Sequence, residues 1–169
     1  MNRVVLITGG AGSGKSRHGV ERAKAAGKKV LFVATCVPGD AEMKAKVARH
    51  RAERPPEWRT VEATRDLRSV LAEDVDVALV DCLTLLVSRQ LMDGASEADI
   101  VADVERLCEK PPCPLILVTN EVGSGIVPEN ALARKFREIA GRANQAAARL
   151  ADEVVLMVSG VPVAIKGGR

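Results

Sequence analysis

The segment GGAGSGKS, residues 9–16, constrains this chain more than any other feature. Gly9, Gly14, Lys15 and Ser16 satisfy G-x-x-x-x-G-K-[ST], and the match has the context its mechanism requires. The apolar run VVLIT (4–8) precedes it, and a helical stretch from Lys15 to Ala26, stopped by Gly27, follows. Glycines let the backbone curl so that its N–H groups face phosphates, and the start of the helix adds positive potential. Gly9, Gly10, Ala11, Gly12, Ser13, Gly14, Lys15 and Ser16 are therefore expected to cradle a nucleotide. Lys15 reaches the outer phosphates and Ser16 offers its hydroxyl to Mg2+.

The rest of the chain repeats the strand-then-helix rhythm. Short apolar runs recur at VLFVA (30–34), VALVD (77–81), LILVT (115–119) and VVLMV (154–158), as buried parallel strands do. Helical stretches are expected over 41–53, before Pro55 and Pro56, over 64–73, from Ser96, and over 132–150, where apolar residues step by three and four. VPVAIKGGR reads as a short edge strand and tail. Alternation of this kind predicts an α/β P-loop fold with a RecA-like, mostly parallel sheet flanked by helices, formed as one domain over 1–169. Asp81, ending VALVD, is the carboxylate expected to join Ser16 in holding Mg2+, because ligands of open α/β sheets gather at the carboxyl ends of strands.

Composition removes several classes. Twenty-five Lys and Arg against 22 Asp and Glu leave a charge of +3, and aromatic residues are 2% with no Tyr. Neither a basic stripe nor a stacking platform for nucleic acid is present. No apolar run reaches a membrane span, and MNRVVLITGG leads straight into a strand, so a cytoplasmic protein is expected. Cys36, Cys82, Cys108 and Cys113 form no C-x-x-C pair and read as reduced thiols.

There are two histidines, His18 and His50. His18 falls in the first turn of the P-loop helix and reads as a helix-face residue. His50 shares a helix face with Met43 and Val47, with Lys46 and Arg54 four residues to either side and Arg49 and Arg51 adjacent. Cations there would keep the imidazole neutral and steady a transferring phosphoryl group. On spacing alone a packed or solvated structural histidine is the better reading.

Taken in order, ITGGAGSGKSRH, EMKAKVARHRAERPPEWRTVE, VDCLT, TNEVGSGIVPEN, RKFREIAGRANQ and ADEVVLMVSGVPVAIK resemble the bifunctional adenosylcobinamide kinase/adenosylcobinamide-phosphate guanylyltransferases of cobalamin biosynthesis. The resemblance spans essentially the whole chain, and H-x-x-x-R-P, W-x-T-x-E and TNEVGxGIVPE are its specific pieces. It implies phosphorylation of adenosylcobinamide by ATP or GTP, then guanylyl transfer from GTP to adenosylcobinamide phosphate through a covalent GMP-histidine. That histidine is His50, which reverses the reading from spacing. The resemblance also implies nucleotide contacts at Ala34, Thr35, Cys36, Arg51, Arg54, Glu62 and Asp81, and a homo-oligomer.

Without the resemblance, Glu62 is a surface carboxylate at a strand start. TNEVGSGIVPE is either a structural loop or one that meets substrate through Asn120 and Glu121. Gly12 stands where many relatives are expected to carry Arg, which removes a side-chain phosphate contact and spares the backbone cradle. Two rival functions stay open: a plain P-loop small-molecule kinase, which releases no pyrophosphate from GTP, and a regulatory nucleotide switch indifferent to corrinoids.

Overall fold

Seven strands form one sheet in the order β3-β2-β4-β5-β1-β6-β7. The strands are β1 (Val4–Gly9), β2 (Val30–Ala34), β3 (Arg59–Glu62), β4 (Val77–Asp81), β5 (Leu115–Val118), β6 (Glu153–Val158) and β7 (Val161–Lys166). Among the described residues six helices accompany them: α1 (Lys15–Ala26), α2 (Ala41–Ala52), α3 (Leu67–Val70), α4 (Leu83–Met92), α5 (Glu97–Cys108) and α6 (Ala131–Leu150). The computed structural model describes residues 3–36, 39, 41–52, 54–71 and 74–167, and in α2 the side chains at 42, 43, 46, 49, 50 and 52 lie outside the described set.

Every pairing is parallel except β6 with β7. The central strands are buried on both faces, which is why they read as unbroken Val, Ile and Leu runs rather than alternating ones. On one face, Ile7, Phe32, Leu79 and Val118 pack with Ala23 of α1 and with Trp58. On the other, Leu6, Val80 and Leu117 meet Leu83 and Leu86 of α4, Ile100 and Leu107 of α5, and Ile139 and Ala143 of α6. β7 turns back through Ser159 and Gly160, both at positive φ (49° and 85°), the two-residue hairpin geometry that a glycine eases.

Several elements differ from the sequence reading. The helix expected over 64–73 is only the four residues of α3, entered through Asp66 in the left-handed region and ended by extended Leu71. α4 was not expected at all. α2 stops at Ala52, so Arg54 is off the helix and does not share a face with Lys46 and His50; Arg54 precedes Pro55, whose ring disfavours helical backbone in the residue before it. On α6, Leu132 is exposed, and burial falls on Ile139, Ala140, Ala143, Ala146 and Ala147. The cap at Ser96 forms as expected, its hydroxyl accepting from Asp99 N.

Glu153, at the start of β6, is 6% exposed and accepts two hydrogen bonds from Arg22, each 2.8 Å, and one from Arg3 at 2.6 Å. The Arg22 hydrogen bonds hold its carboxyl below the ordinary carboxylate range, against the opposing effect of burial. A depressed folded value means the stabilisation is present above the unfolded value and is lost as pH falls through the folded one. Glu153→Gln should therefore unfold at lower urea than wild type at pH 7, with the gap closing as pH drops below about 4. Urea titrations at a series of pH values check this.

Candidate active site

The phosphate loop bridges β1 and α1. Gly10, Ala11 and Gly12 are exposed at its tip, Ser13 and Lys15 are buried, and Ser16 is half-buried in the first turn of α1. Lys15 Nζ donates to Gly10 O at 2.9 Å, so the ammonium lies across the curl of the loop. Gly12 has φ 70°, a left-handed conformation that glycine adopts freely. Gly160 N, from the β6–β7 hairpin, donates to Ser13 O at 3.0 Å and braces the loop from the other side.

Three expected residues fall in one row at the carboxyl edge of the sheet. Ala34 pairs with Glu62 on one side and with Asp81 on the other. Glu62 is thus at the end of its strand, not the start. Asp81 is half-buried, and next to it Cys82 is buried, with its thiol pushed up to about 11 by burial first and by the Asp81 charge second, the Lys15 ammonium acting the other way. Asp81 and Lys15 therefore share one electrostatic neighbourhood. Thr35 is buried, and its hydroxyl donates to Cys82 O at 2.7 Å and accepts from Cys82 N at 2.8 Å, clamping the end of β2 to that of β4.

Arg54 reaches the same region by another route. Its guanidinium carbon lies 3.3 Å from the centroid of the Phe32 ring, a cation–π contact on the α1 face of the sheet. Arg51 is exposed. The His50 backbone lies in α2, and its side chain is outside the described set. His18 is half-buried on α1, with its pKa lowered by burial first and by the Arg22 charge second; it stays neutral at pH 7, as a packed helix-face residue does.

The strand beside the phosphate loop is β5, not the strand that carries Asp81. β4 stands two strand spacings from β1, roughly 10 Å. Sequence reasoning paired Asp81 with Ser16 and named Asn120 and Glu121, but it did not bring out what lies between, a hydrogen-bonded group drawn from four elements. Thr8 Oγ1 donates to Glu121 Oε1 (2.6 Å), and Glu121 N donates to Gly9 O (3.1 Å). Asn144 Nδ2 donates to Asn120 O (3.1 Å) and its Oδ1 accepts from Thr119 Oγ1 (2.7 Å). Thr84 Oγ1 accepts from Asn120 N (2.7 Å). The rest of the loop is fastened to α6 by Arg134, on the carbonyls of Pro128 and Glu129, and by Arg137, on those of Ile126 and Gly123. Asn144 was open to detection as the amide beside the alanine-rich buried stripe of α6. Thr8 and Thr84 carry no such signal.

Among the described residues no cluster of three His, Cys, Asp or Glu forms a metal centre, and no helix is long and apolar enough to cross a membrane. Fold and site define a P-loop α/β domain with a mostly parallel sheet, and with a further strand between its phosphate-loop strand and its acidic strand. A family model described as cobinamide kinase / cobinamide phosphate guanyltransferase matches residues 5–165. The bifunctional adenosylcobalamin biosynthesis protein CobU of Escherichia coli is 43% identical, over 96% of this chain and 99% of that protein. CobU of Salmonella typhimurium is 44% identical over the same shares, and CobP of Pseudomonas aeruginosa is 40% identical over 96% of each chain. The crystal structure of the RadB recombinase is a distant likeness, with a TM-score of 0.48 and 14% identity over 91% of this chain and 73% of that one. The chain belongs to the cobinamide kinase/cobinamide phosphate guanylyltransferase family.

Proposed function

We propose that this chain, acting as a single domain over 1–169, uses the phosphate loop to transfer the γ-phosphoryl group of ATP or GTP to the aminopropanol hydroxyl of adenosylcobinamide, and uses His50 to guanylylate the product. The observation that carries this is the family match over 5–165, which contains both GGAGSGKS and His50-Arg51-Ala52-Glu53-Arg54-Pro55. In the second reaction an imidazole nitrogen of His50 attacks the α-phosphorus of GTP and pyrophosphate leaves. A phosphate oxygen of adenosylcobinamide phosphate then displaces the imidazole, giving adenosylcobinamide-GDP. Lys15, Arg51 and Arg54 supply the positive charge that such transfers need as negative charge shifts to the leaving group. Ala34, Cys36 and Glu62 complete the nucleotide contacts along the edge of the sheet, and Thr35 holds that edge in shape.

Ser16 and Asp81 would hold Mg2+. Their hydroxyl and carboxylate are the hard oxygen donors that this ion takes, and both are half-buried rather than sealed. The ion would neutralise phosphate charge. A cytoplasmic homo-oligomer fits the exposed apolar residues Val161, Val163 and Ile165 of β7 and Val158 beside it; a monomer in solution, measured by light scattering, would contradict the assembly.

Product analysis tests the proposal. Adenosylcobinamide with ATP and GTP should yield adenosylcobinamide phosphate, then adenosylcobinamide-GDP and pyrophosphate. Nucleoside diphosphate without pyrophosphate would reduce the protein to a plain kinase, and corrinoid-independent hydrolysis would make it a switch.

A further inference from the structure

Because β5 flanks the phosphate loop, the carboxylate hydrogen-bonded to its base belongs to Glu121, which neither reaction above employs. Its position is fixed at three points. The main-chain N–H holds Gly9 O at 3.1 Å, and Oε1 accepts from Thr8 Oγ1 at 2.6 Å and from Asn144 Nδ2 at 3.4 Å. Both side-chain contacts fall on one oxygen. Among the described residues, no hydrogen-bond donor reaches Oε2, and the residue is exposed. One residue beyond Gly9, Gly10 O receives the Lys15 ammonium, so the held carboxylate and the phosphate-binding cation flank the same two glycines.

We infer that Glu121 is the general base of the phosphoryl-transfer step. The inference rests on the kinase half of the proposed function. The substrate hydroxyl oxygen forms its bond to the γ-phosphorus, and its proton passes to Glu121 Oε2. The bond from the γ-phosphorus to the β,γ-bridging oxygen breaks, and its electron pair leaves with the nucleoside diphosphate. Asp81, which would hold Mg2+, would be the poorer base, because a carboxylate engaged with a cation has little basicity to give. The second reaction makes no such demand: its nucleophiles are a neutral imidazole and a phosphate monoester oxygen, which with a second pKa of about 6 has largely lost its proton at neutral pH. A base at Glu121 therefore serves one reaction of the two.

Glu121→Gln keeps an oxygen for Thr8 and removes the proton acceptor. It should lower kcat for adenosylcobinamide phosphorylation roughly 10²- to 10⁴-fold, leaving KM for ATP close to wild type. Its guanylyl transfer, measured on adenosylcobinamide phosphate supplied ready-made, should run at the wild-type rate. Glu121→Asp keeps a carboxylate at this position and should phosphorylate adenosylcobinamide faster than E121Q does. Equal losses in both reactions for E121Q, an unchanged phosphorylation kcat, or an E121D rate no higher than that of E121Q would each overturn the assignment. Wild-type protein that phosphorylates no adenosylcobinamide would overturn the kinase reading along with it, whereas active wild type with active E121Q overturns Glu121 alone.

Discussion

Replacing His50 by Ala should abolish formation of adenosylcobinamide-GDP and leave phosphorylation of adenosylcobinamide close to the wild-type rate. Removing a covalent nucleophile eliminates a two-step route rather than weakening a contact, so the guanylyl-transfer loss should be on the order of 10⁴-fold or more. The selectivity follows from the division of labour. The phosphate loop, Lys15 and Ser16 belong to β1 and α1, whereas His50 belongs to α2, on the far side of β2 in the chain. Assaying each half-reaction on its own substrate separates the two. An H50A protein that still releases pyrophosphate in step with adenosylcobinamide-GDP would mean that GMP passes directly between nucleotide and corrinoid.

Lys15→Ala should have the complementary effect. The ammonium is buried against its own loop, so the side chain is held in place before any phosphate arrives. Preorganised charge at a transferring phosphoryl group is typically worth about 10²- to 10³-fold in kcat, and phosphorylation should fall by that much. Guanylyl transfer should fall less, because its bond-making occurs at the α-phosphorus. A thermal melt of K15A within a few degrees of wild type would show that the loss is chemical. Equal loss in both reactions would mean that Lys15 serves binding of the triphosphate as a whole.

How much of this was legible in the sequence depends on what a local pattern can encode. The five apolar runs became β1, β2, β4, β5 and β6 almost residue for residue, because strands buried on two faces must be apolar at every position. β3 has the sequence RTVE and is mostly exposed, so no apolar run marks it, and its existence rests on pairing with β2. α4 escaped notice because VALVDCLTLLV runs from strand into helix with only Asp81 and Thr84 interrupting its apolar character. Its N-cap is Cys82, which makes no capping hydrogen bond and so gives no start signal. Arg54 was misread for the opposite reason: a four-residue spacing was extended to the residue before a proline, where helical backbone is disfavoured.

The site divides along the same line. The phosphate loop is contiguous, so its motif is legible whole, and Asp81 stands out in the sequence because it ends a strand. The order of strands has no local signature, so the placement of β5 between β1 and β4 became visible only in the sheet. With it came Glu121 beside the loop, and the ties from Thr8, Thr84 and Asn144, residues from β1, α4 and α6 that no periodicity brings together. His50 was identified by resemblance, since its spacing alone favoured a structural role.

On the proposed mechanism one chain both phosphorylates and guanylylates, the second reaction passing through a nitrogen–phosphorus bond on His50. Incubating wild-type protein with GTP labelled at the α-phosphorus, removing free nucleotide and treating the protein with acid and alkali tests it most directly. Wild-type protein should carry label and H50A none, the label being released by acid, stable to alkali and discharged by adenosylcobinamide phosphate; wild-type protein that takes up no acid-labile label would rule out the covalent histidine.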